Sequence, residues 1–424
     1  MKKLLLLLVV LIGSLLPNTI MAQLKFTGEM RPRTEYRNGL KTLLNSEDDA
    51  ALFTSQRTRL NLNYTDAKFK VGLSLQDVRT WGDVKQLNMS DKNQLMLHEA
   101  WGELLFTENF SLKVGRQELV YDDSRILGNV GWAQQARSHD LALLKFKTDD
   151  IGQLHIGLAY NNDMEVLKDQ LYTTSYKSMQ FAWYNRKYDN FNFSLLFLNN
   201  GLQRLDIDDL KTYYSQTLGT HMNYKKDKLG LTGSAYLQTG KDASDRDLNA
   251  YLVSLGANYA LSSNFKGNIG FEIQSGTDSN EQNANFDNKS FTPLFGTNHK
   301  FNGHMDYFYV GNHVGANGKV DAVGLVDAFI GASYAKDKIS FGATLHRFAT
   351  QADLLAAGEK QDNYLGTELD LSFGYKYSKS VTFKMGYSQM FASDSMEVLK
   401  GVNDAEKAAC WGWMMLVFKP NFLK

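Results

Sequence analysis

Four arginines stand two apart on two stretches near the start of the chain: Arg31 and Arg33 in KFTGEMRPRTEYR (25–37), and Arg57 and Arg59 in SQRTRLNLNY (55–64). Three more, Arg116, Arg125 and Arg137, fall in VGRQELVYDDSRILGNVGWAQQARSHD (114–140), with Trp132 among glycines and acids. A guanidinium is planar, permanently charged, and meets a carboxylate as a fork. Residues two apart share one face when the backbone is extended, so each pair would make a basic face whose chemistry is anion binding. Interspersed acids can fix the guanidinium positions, and Glu99 and Glu103 share one parity in residues 94–106. Other chemistries find less support. Ser138, His139 and Asp140 are chain neighbours, and adjacent strand residues point to opposite faces, so they cannot converge as a triad. His98-Glu99 and the pair His299/His304 lack a third zinc ligand at a suitable spacing. Nothing in the pattern supports calcium at Asp48 and Asp49, and no glycine-rich phosphate loop occurs, so no metal or cofactor is expected.

The elements that must hold these arginines are strands. In AKFKVGLSLQ (67–76) Phe69, Val71, Leu73 and Leu75 share one face and Lys68, Lys70, Gly72 and Ser74 the other. Such a period of two marks a strand with one apolar and one wet face. The pattern recurs in QLHIGLAYN (153–161), NFNFSLLF (190–197), LGLTGSAYLQ (229–238), FKGNIGFEIQ (265–274), LGTELDLSFGYKY (365–377) and VTFKMGY (381–387). Eight short polar turns alternate with nine longer aperiodic segments, near 38–54, 80–93, 120–136, 162–174, 200–211, 240–247, 276–320, 350–363 and 392–406. That alternation predicts about eighteen strands of roughly ten residues each. The fold class expected is all-β, a transmembrane antiparallel barrel with long extracellular loops and short periplasmic turns. A sheet in lipid must close, because an open edge leaves unpaired N–H and C=O groups in hydrocarbon. Tyr64, Tyr160, Trp183, Phe191, Tyr224, Tyr259, Phe265 and Tyr377 near strand ends suit the interfacial girdles.

Composition agrees. There are 34 glycines, 4 prolines and one cysteine, Cys410, so an intramolecular disulfide framework is excluded. The net charge is formally zero, with no basic excess to suggest nucleic acid. Lys2 and Lys3 precede the apolar run Leu4 to Leu16 and a small residue, Ala22, which reads as a secretory signal peptide over 1–22 followed by one barrel domain over 23–424.

If the apolar parity faces lipid, the other lines the lumen. Glu29, Arg31, Arg33, Glu35 and Arg37 share that parity, as do Arg57, Arg59, Asn61 and Asn63. Lys145 and Lys147 oppose Leu144 and Phe146, with Arg137 on the lysine parity, and Glu368 and Asp370 oppose Leu369 and Leu371. Pro32 suggests a bulge in its strand. Arg116 shares parity with Leu112 and Val114, so it enters the lumen only if a bulge turns it, and otherwise lies above the membrane. The basic group of Arg31, Arg33, Arg57 and Arg59 points to anion selectivity.

The combination of RPRTEYR, HEAWGEL (98–104), the 114–140 segment, PLFGTNHKFNGHMDYF (293–308) and LGTELDLSFGYKY resembles the alginate-export family of outer-membrane barrels. The resemblance implies an eighteen-stranded, arginine-lined, anion-selective pore narrowed by inward loops, an acidic polysaccharide as cargo, and periplasmic export proteins as partners. Arg31, Arg33, Arg57, Arg59, Arg116, Arg125 and Arg137 are then candidates for the electropositive constriction, with Glu99 and Glu103 as their acidic partners. The expectation is a non-enzymatic outer-membrane channel for alginate-like, uronic-acid-rich polymer or other anions. The alternatives are a general or small-sugar and anion porin and, in another class, a barrel lipid hydrolase using His139.

Overall fold

The period-two segments become strands that pair in chain order. The computed structural model describes residues 23–87, 95–206, 209–282, 285–308 and 322–423, so the expected signal peptide lies outside the described residues. The strands are β1 (Gln23–Asn38), β2 (Ala51–Thr65), β3 (Phe69–Thr80), β4 (Met96–Leu105), β5 (Phe110–Gln117), β6 (His139–Thr148) and β7 (Gly152–Tyr160). They continue with β8 (Ser178–Lys187), β9 (Phe191–Asp206), β10 (Asp209–Lys226), β11 (Leu229–Gly240), β12 (Ala250–Ala260), β13 (Phe265–Gln274), β14 (Leu325–Lys336) and β15 (Ile339–Ala349). A small hairpin of β16 (Leu355–Ala356) and β17 (Glu359–Lys360) precedes β18 (Tyr364–Lys376), β19 (Val381–Ala392) and β20 (Cys410–Phe418). Apart from that hairpin, all belong to one 18-stranded antiparallel sheet, and β1 pairs with both β2 and β20, which closes the barrel. Closure removes the edges that lipid could not satisfy.

Eight connections at one end have two to four residues. Two of them use the same Lys-Asp-Lys tripeptide, with Asp227 and Asp337 at φ near +51° and +52°, a region Asp tolerates. At the other end the connections are long, with one correction: residues 200–211 are not a loop. There β9 and β10 continue as paired strands from Gly201–Tyr214 to Asp206–Asp209. Pro32 also makes no bulge. The register of β1 with β2 is unbroken from Gln23 to Arg37, and only the ladder to β20 skips Arg31 and Pro32. The bulges lie elsewhere, at His98 in β4 and at Leu365 in β18.

Leu60, Leu62, Val71, Leu195, Phe197 and Ile269 are exposed on the outer face, as a lipid-facing band requires. The inner face is less wet than its parity suggests. Met179, Phe181, Trp183, Leu196, Leu198, Tyr236 and Leu252 point inward, where they pack on Leu119, Tyr121, Ile126 and Leu127 of the 118–138 loop. Trp183 is therefore a lumen residue rather than a girdle residue, and its indole N–H donates to Asp122 Oδ1 at 3.1 Å. Glycines let these rings lie against the wall: a Cβ on Gly157 would sit 2.0 Å from Phe181, and one on Gly219 2.0 Å from Tyr236. Burying a large apolar side chain contributes about 1.5–3 kcal/mol. Four such anchors hold the root of the 118–138 loop against the inner wall.

Candidate functional site

Beyond its apolar root, the 118–138 loop crosses the lumen to the basic face of β1 and β2. Arg31 donates from Nη1 to Gly131 O at 2.8 Å, from Nη2 to Trp132 O and Ala133 O at 3.1 Å, and from Nε to Gln134 Oε1 at 3.1 Å. Arg33 donates to Trp132 O at 2.8 Å and stacks 4.1 Å over the Trp132 ring. Arg57 donates to Ala133 O and Gln134 O at 3.4 and 3.3 Å, and Gln76 donates to Gln135 O at 2.9 Å. An arc of five consecutive carbonyls, with no secondary structure of its own, is thus satisfied by wall side chains. The backbone here is strained. Asp122, Ser124, Val130 and Ala136 all have positive φ, and a β-branched residue such as Val130 at +50° persists only where the surroundings over-determine it.

Both feet of the loop meet at the His98 bulge, which turns that imidazole inward. His98 Nε2 lies 2.7 Å from Glu118 Oε1, and Ser138 Oγ lies 3.2 Å from His98 Nδ1. Burial alone would raise the Glu118 carboxyl, but His98, Asn129 and Arg59 outweigh it and hold the group below the usual carboxylate range. The anchoring continues on the far side. Arg125 forms a buried ion pair with Glu272 of β13, donates to Asn302 Oδ1 at 2.9 Å, and stacks 4.3 Å over Phe301. Arg137 donates to Gly296 O at 3.1 Å.

Residues 296–308 form a second inward segment. Met305 N donates to Glu368 Oε1 at 2.8 Å and His304 N to Asp370 Oδ2 at 3.2 Å, so the inward acids of the LGTELD strand serve as its seat. Gly303, at φ +83°, is packed so closely that a Cβ would lie 2.6 Å from Glu368. The Trp132 ring stacks on His299 at 4.7 Å, and His299 on His304 at 5.6 Å. Arg33, Trp132, His299 and His304 therefore form one stacked column across the lumen. A cavity of about 510 Å³ is lined by Arg33, Glu35, Arg37, Lys41, Trp132 and Asp306 among others. A second, of about 350 Å³, is lined by Asp123, His221, Glu272, Lys300, His304 and His346 among others.

Several expectations need correction. Arg116 does not reach the lumen. No bulge turns it, and on the outer face it pairs with Asp140 across β5 and β6, with Nε–Oδ1 at 3.0 Å and Nη2–Oδ2 at 2.6 Å. Among the described residues Glu99 and Glu103 form no ion pair with these arginines, although Glu99 lies near enough to Arg59 for its charge to act there. Glu103 accepts from Lys145 at 3.0 Å and Ser111 at 2.8 Å, and Glu99 accepts from the Glu118 backbone N–H at 3.0 Å. Register explains this: Glu103 faces Lys70 and Lys113 across the sheet, whereas Glu29 faces Arg59 one step from Arg57. The working acids are Glu29 with Arg57, Glu35 with Arg33 and Arg37, and Glu118 with Arg59 at 3.6 Å. His139, the residue a lipid hydrolase would need, is buried inside the barrel with its Nδ1 3.0 Å from Tyr176 Oη. The residues that sequence reasoning missed are His98, Glu118 and Gln134. Only a bulge and a loop path place them, and neither leaves a periodic signal. Among the described residues no group of three or more His, Cys, Asp or Glu could hold a metal ion.

A short helix, α1 (Asp394–Lys400), lies among the loops, capped by Ser393 and by Gly401 in the left-handed region. Its Lys400 ammonium donates to the Tyr307 carbonyl, and burial pushes the amine down to about 7. A released Lys titrates near 10.4, so between about pH 7 and 10 the docked helix binds fewer protons than the released one. Docking should tighten with rising pH by up to tenfold per unit in that window and stay flat and weakest below it. Hydrogen-exchange protection of 398–401 is expected to follow this course, and Lys400→Met to abolish the pH dependence. A protection profile identical in the two proteins would contradict it.

The alginate-export family matches residues 22–407 of the chain. No curated protein matches it. Among solved structures, Acinetobacter baumannii OccAB4 is similar at 12% identity and a TM-score of 0.62, over 96% of this chain and 100% of that one. Acinetobacter baumannii OccAB1 is similar at 10% identity and a TM-score of 0.64, over 94% and 97%. Pseudomonas aeruginosa OpdO is similar at 14% identity and a TM-score of 0.59, over 94% and 98%. At these identities the likeness is one of fold.

Proposed function

Because this chain belongs to the alginate-export family, an outer-membrane channel family and not an enzyme family, we propose that it is a selective porin for small carboxylate-bearing anions. The observation that carries this reading is the arc of residues 131–135, held to the inner wall by Arg31, Arg33, Arg57 and Gln76, with cavities of about 510 and 350 Å³ inside the barrel. Barrels of this strand number otherwise enclose an aqueous channel. The basic sign of the β1–β2 wall favours anions in low-dielectric confinement. Arg31, Arg33, Arg57 and Arg59 act here chiefly by holding the constriction, and Arg125 and Arg137 by tying its two loops together.

Export of an alginate-like polymer is the second reading, favoured by the family match. It requires the arc to yield, since a uronic-acid chain must pass the segment that crosses the lumen to the β1–β2 face. Liposome swelling separates the two. The small-anion reading expects glucuronate to enter faster than glucose, with uronic-acid tetramers excluded. Equally fast entry of the tetramer would replace it with polymer passage. In a salt gradient across a planar bilayer the reversal potential should show anion preference, and cation preference would refute both readings.

A further inference from the structure

The lumenal guanidiniums are not equivalent, and counting their N–H groups separates them. Arg31 commits Nε, Nη1 and Nη2 to the arc and to Gln134. Arg57 is divided between Glu29 and two arc carbonyls, and Arg33 between Glu35, Trp132 O and the Trp132 face. All three side chains are buried. Arg37 differs. Its Nε and Nη2 engage only Glu35 Oε2, at 3.1 and 2.9 Å, and no described residue takes Nη1. Its side chain is 36% exposed, and it lines the 510 Å³ cavity.

We infer that Arg37 is the specificity-determining residue of that cavity, presenting its open Nη1/Nη2 edge to the carboxylate of a small solute. This rests on the porin reading above. The edge opposite is already a two-point contact with Glu35, and the guanidinium lies 4.6 Å over Phe53, so the fork is oriented before a solute arrives. Glu35 is the positioning residue. It is 1% exposed and accepts from Arg33 Nε at 2.8 Å and Trp411 Nε1 at 3.1 Å besides Arg37, so its carboxylate is fixed from three sides. A carboxylate so committed cannot turn to compete for the open edge.

The chemistry of the solute follows from what else the cavity offers. Its size is in the range of small-molecule pockets, about 300–1,000 Å³. Its aromatic faces are taken: Phe53 carries Arg37, Trp132 is sandwiched between Arg33 and His299, and Trp411 is buried edge-on against Trp132 and His299. Stacking of a sugar ring is therefore not what the site provides. Recognition falls to the charged fork, and the ligand class is a small carboxylate, with or without a sugar ring.

The test is block of chloride current through the intact channel by glucuronate, with glucose as the uncharged control. Wild type should show saturable block by glucuronate and none by glucose. Arg37→Gln should weaken the block about tenfold. Arg37→Lys keeps the charge and the packing over Phe53 but lacks the fork, and should weaken it at least threefold while anion preference stays near wild type. Arg116→Gln, on the outer face, should leave glucuronate affinity within twofold of wild type. Glu35→Gln should weaken block without altering the charge of Arg37. If Arg37→Lys blocks like wild type, or Arg116→Gln weakens block as much as Arg37→Gln does, the assignment to Arg37 falls. Anion preference intact in every variant would leave the porin reading standing in that case, whereas a cation-selective wild type would remove the porin reading itself.

Discussion

Replacing Arg125 with Met is expected to release the inward loop from the β13 wall and to give a channel of higher and noisier conductance. Both members of the Arg125–Glu272 pair are buried, and removing one leaves an uncompensated charge, at a cost of about 3–5 kcal/mol. Asn302 and Gln274, each donating to Glu272 at 2.9 Å, cannot replace a full positive charge. The loss should be local, because the barrel ladders do not pass through this pair. Hydrogen exchange over 121–128 should accelerate while that of β8 to β11 stays slow. Adding Glu272→Gln removes the stranded charge and should restore most of the protection. Wild-type conductance and exchange in the Arg125→Met protein would show that the loop is held by its apolar root alone.

The second large effect is expected at Trp132. Trp132→Ala removes the ring that joins Arg33 to His299 and lines the 510 Å³ cavity. Burying an aromatic ring and losing it to Ala costs about 3–5 kcal/mol when the ring is fully enclosed. Trp132 is half-buried, so the local cost should be nearer 2 kcal/mol. Functionally the change should be greater than its energy suggests. The 510 Å³ cavity would widen, single-channel conductance should rise severalfold, and uronic-acid tetramers should begin to enter liposomes. Trp132→Phe, which keeps a ring in the column, should fall between. A Trp132→Ala channel with unchanged conductance and size cut-off would mean that solutes bypass the column.

The two predictions differ in how far sequence alone could have reached them. The inward parity of Arg31, Arg33, Arg57 and Arg59 follows from alternation with Phe26, Met30, Tyr36, Leu60 and Leu62, and the structure places them on that face. Arg116 follows the same rule, and its apolar neighbours Leu112 and Val114 put it on the outer face where it lies. What parity could not reveal is what an inward arginine touches. The apolar residues that turn inward, Phe181, Leu196 and Leu198, break the rule that inward means wet, because a folded loop supplies the partner that water would otherwise be. His98 escapes it too, since a one-residue bulge changes which side chains face in.

The sequence by itself determined the barrel: its strands, their order, its closure and the sign of its walls. The physical reason is that side-chain alternation and turn chemistry are local, and a meander pairs each strand with the next. Only the tertiary structure decided the site. The contacts that define it join residues about a hundred positions apart, as Arg31 and Gln134 are, through a loop whose path is set by buried apolar anchors and not by any period in its own residues. Whether an arginine reads a solute or holds a carbonyl depends on that path: among the described residues Arg59 also leaves Nη2 without a partner, but enclosed by protein, whereas Arg37 is left with an open edge that a solute can reach.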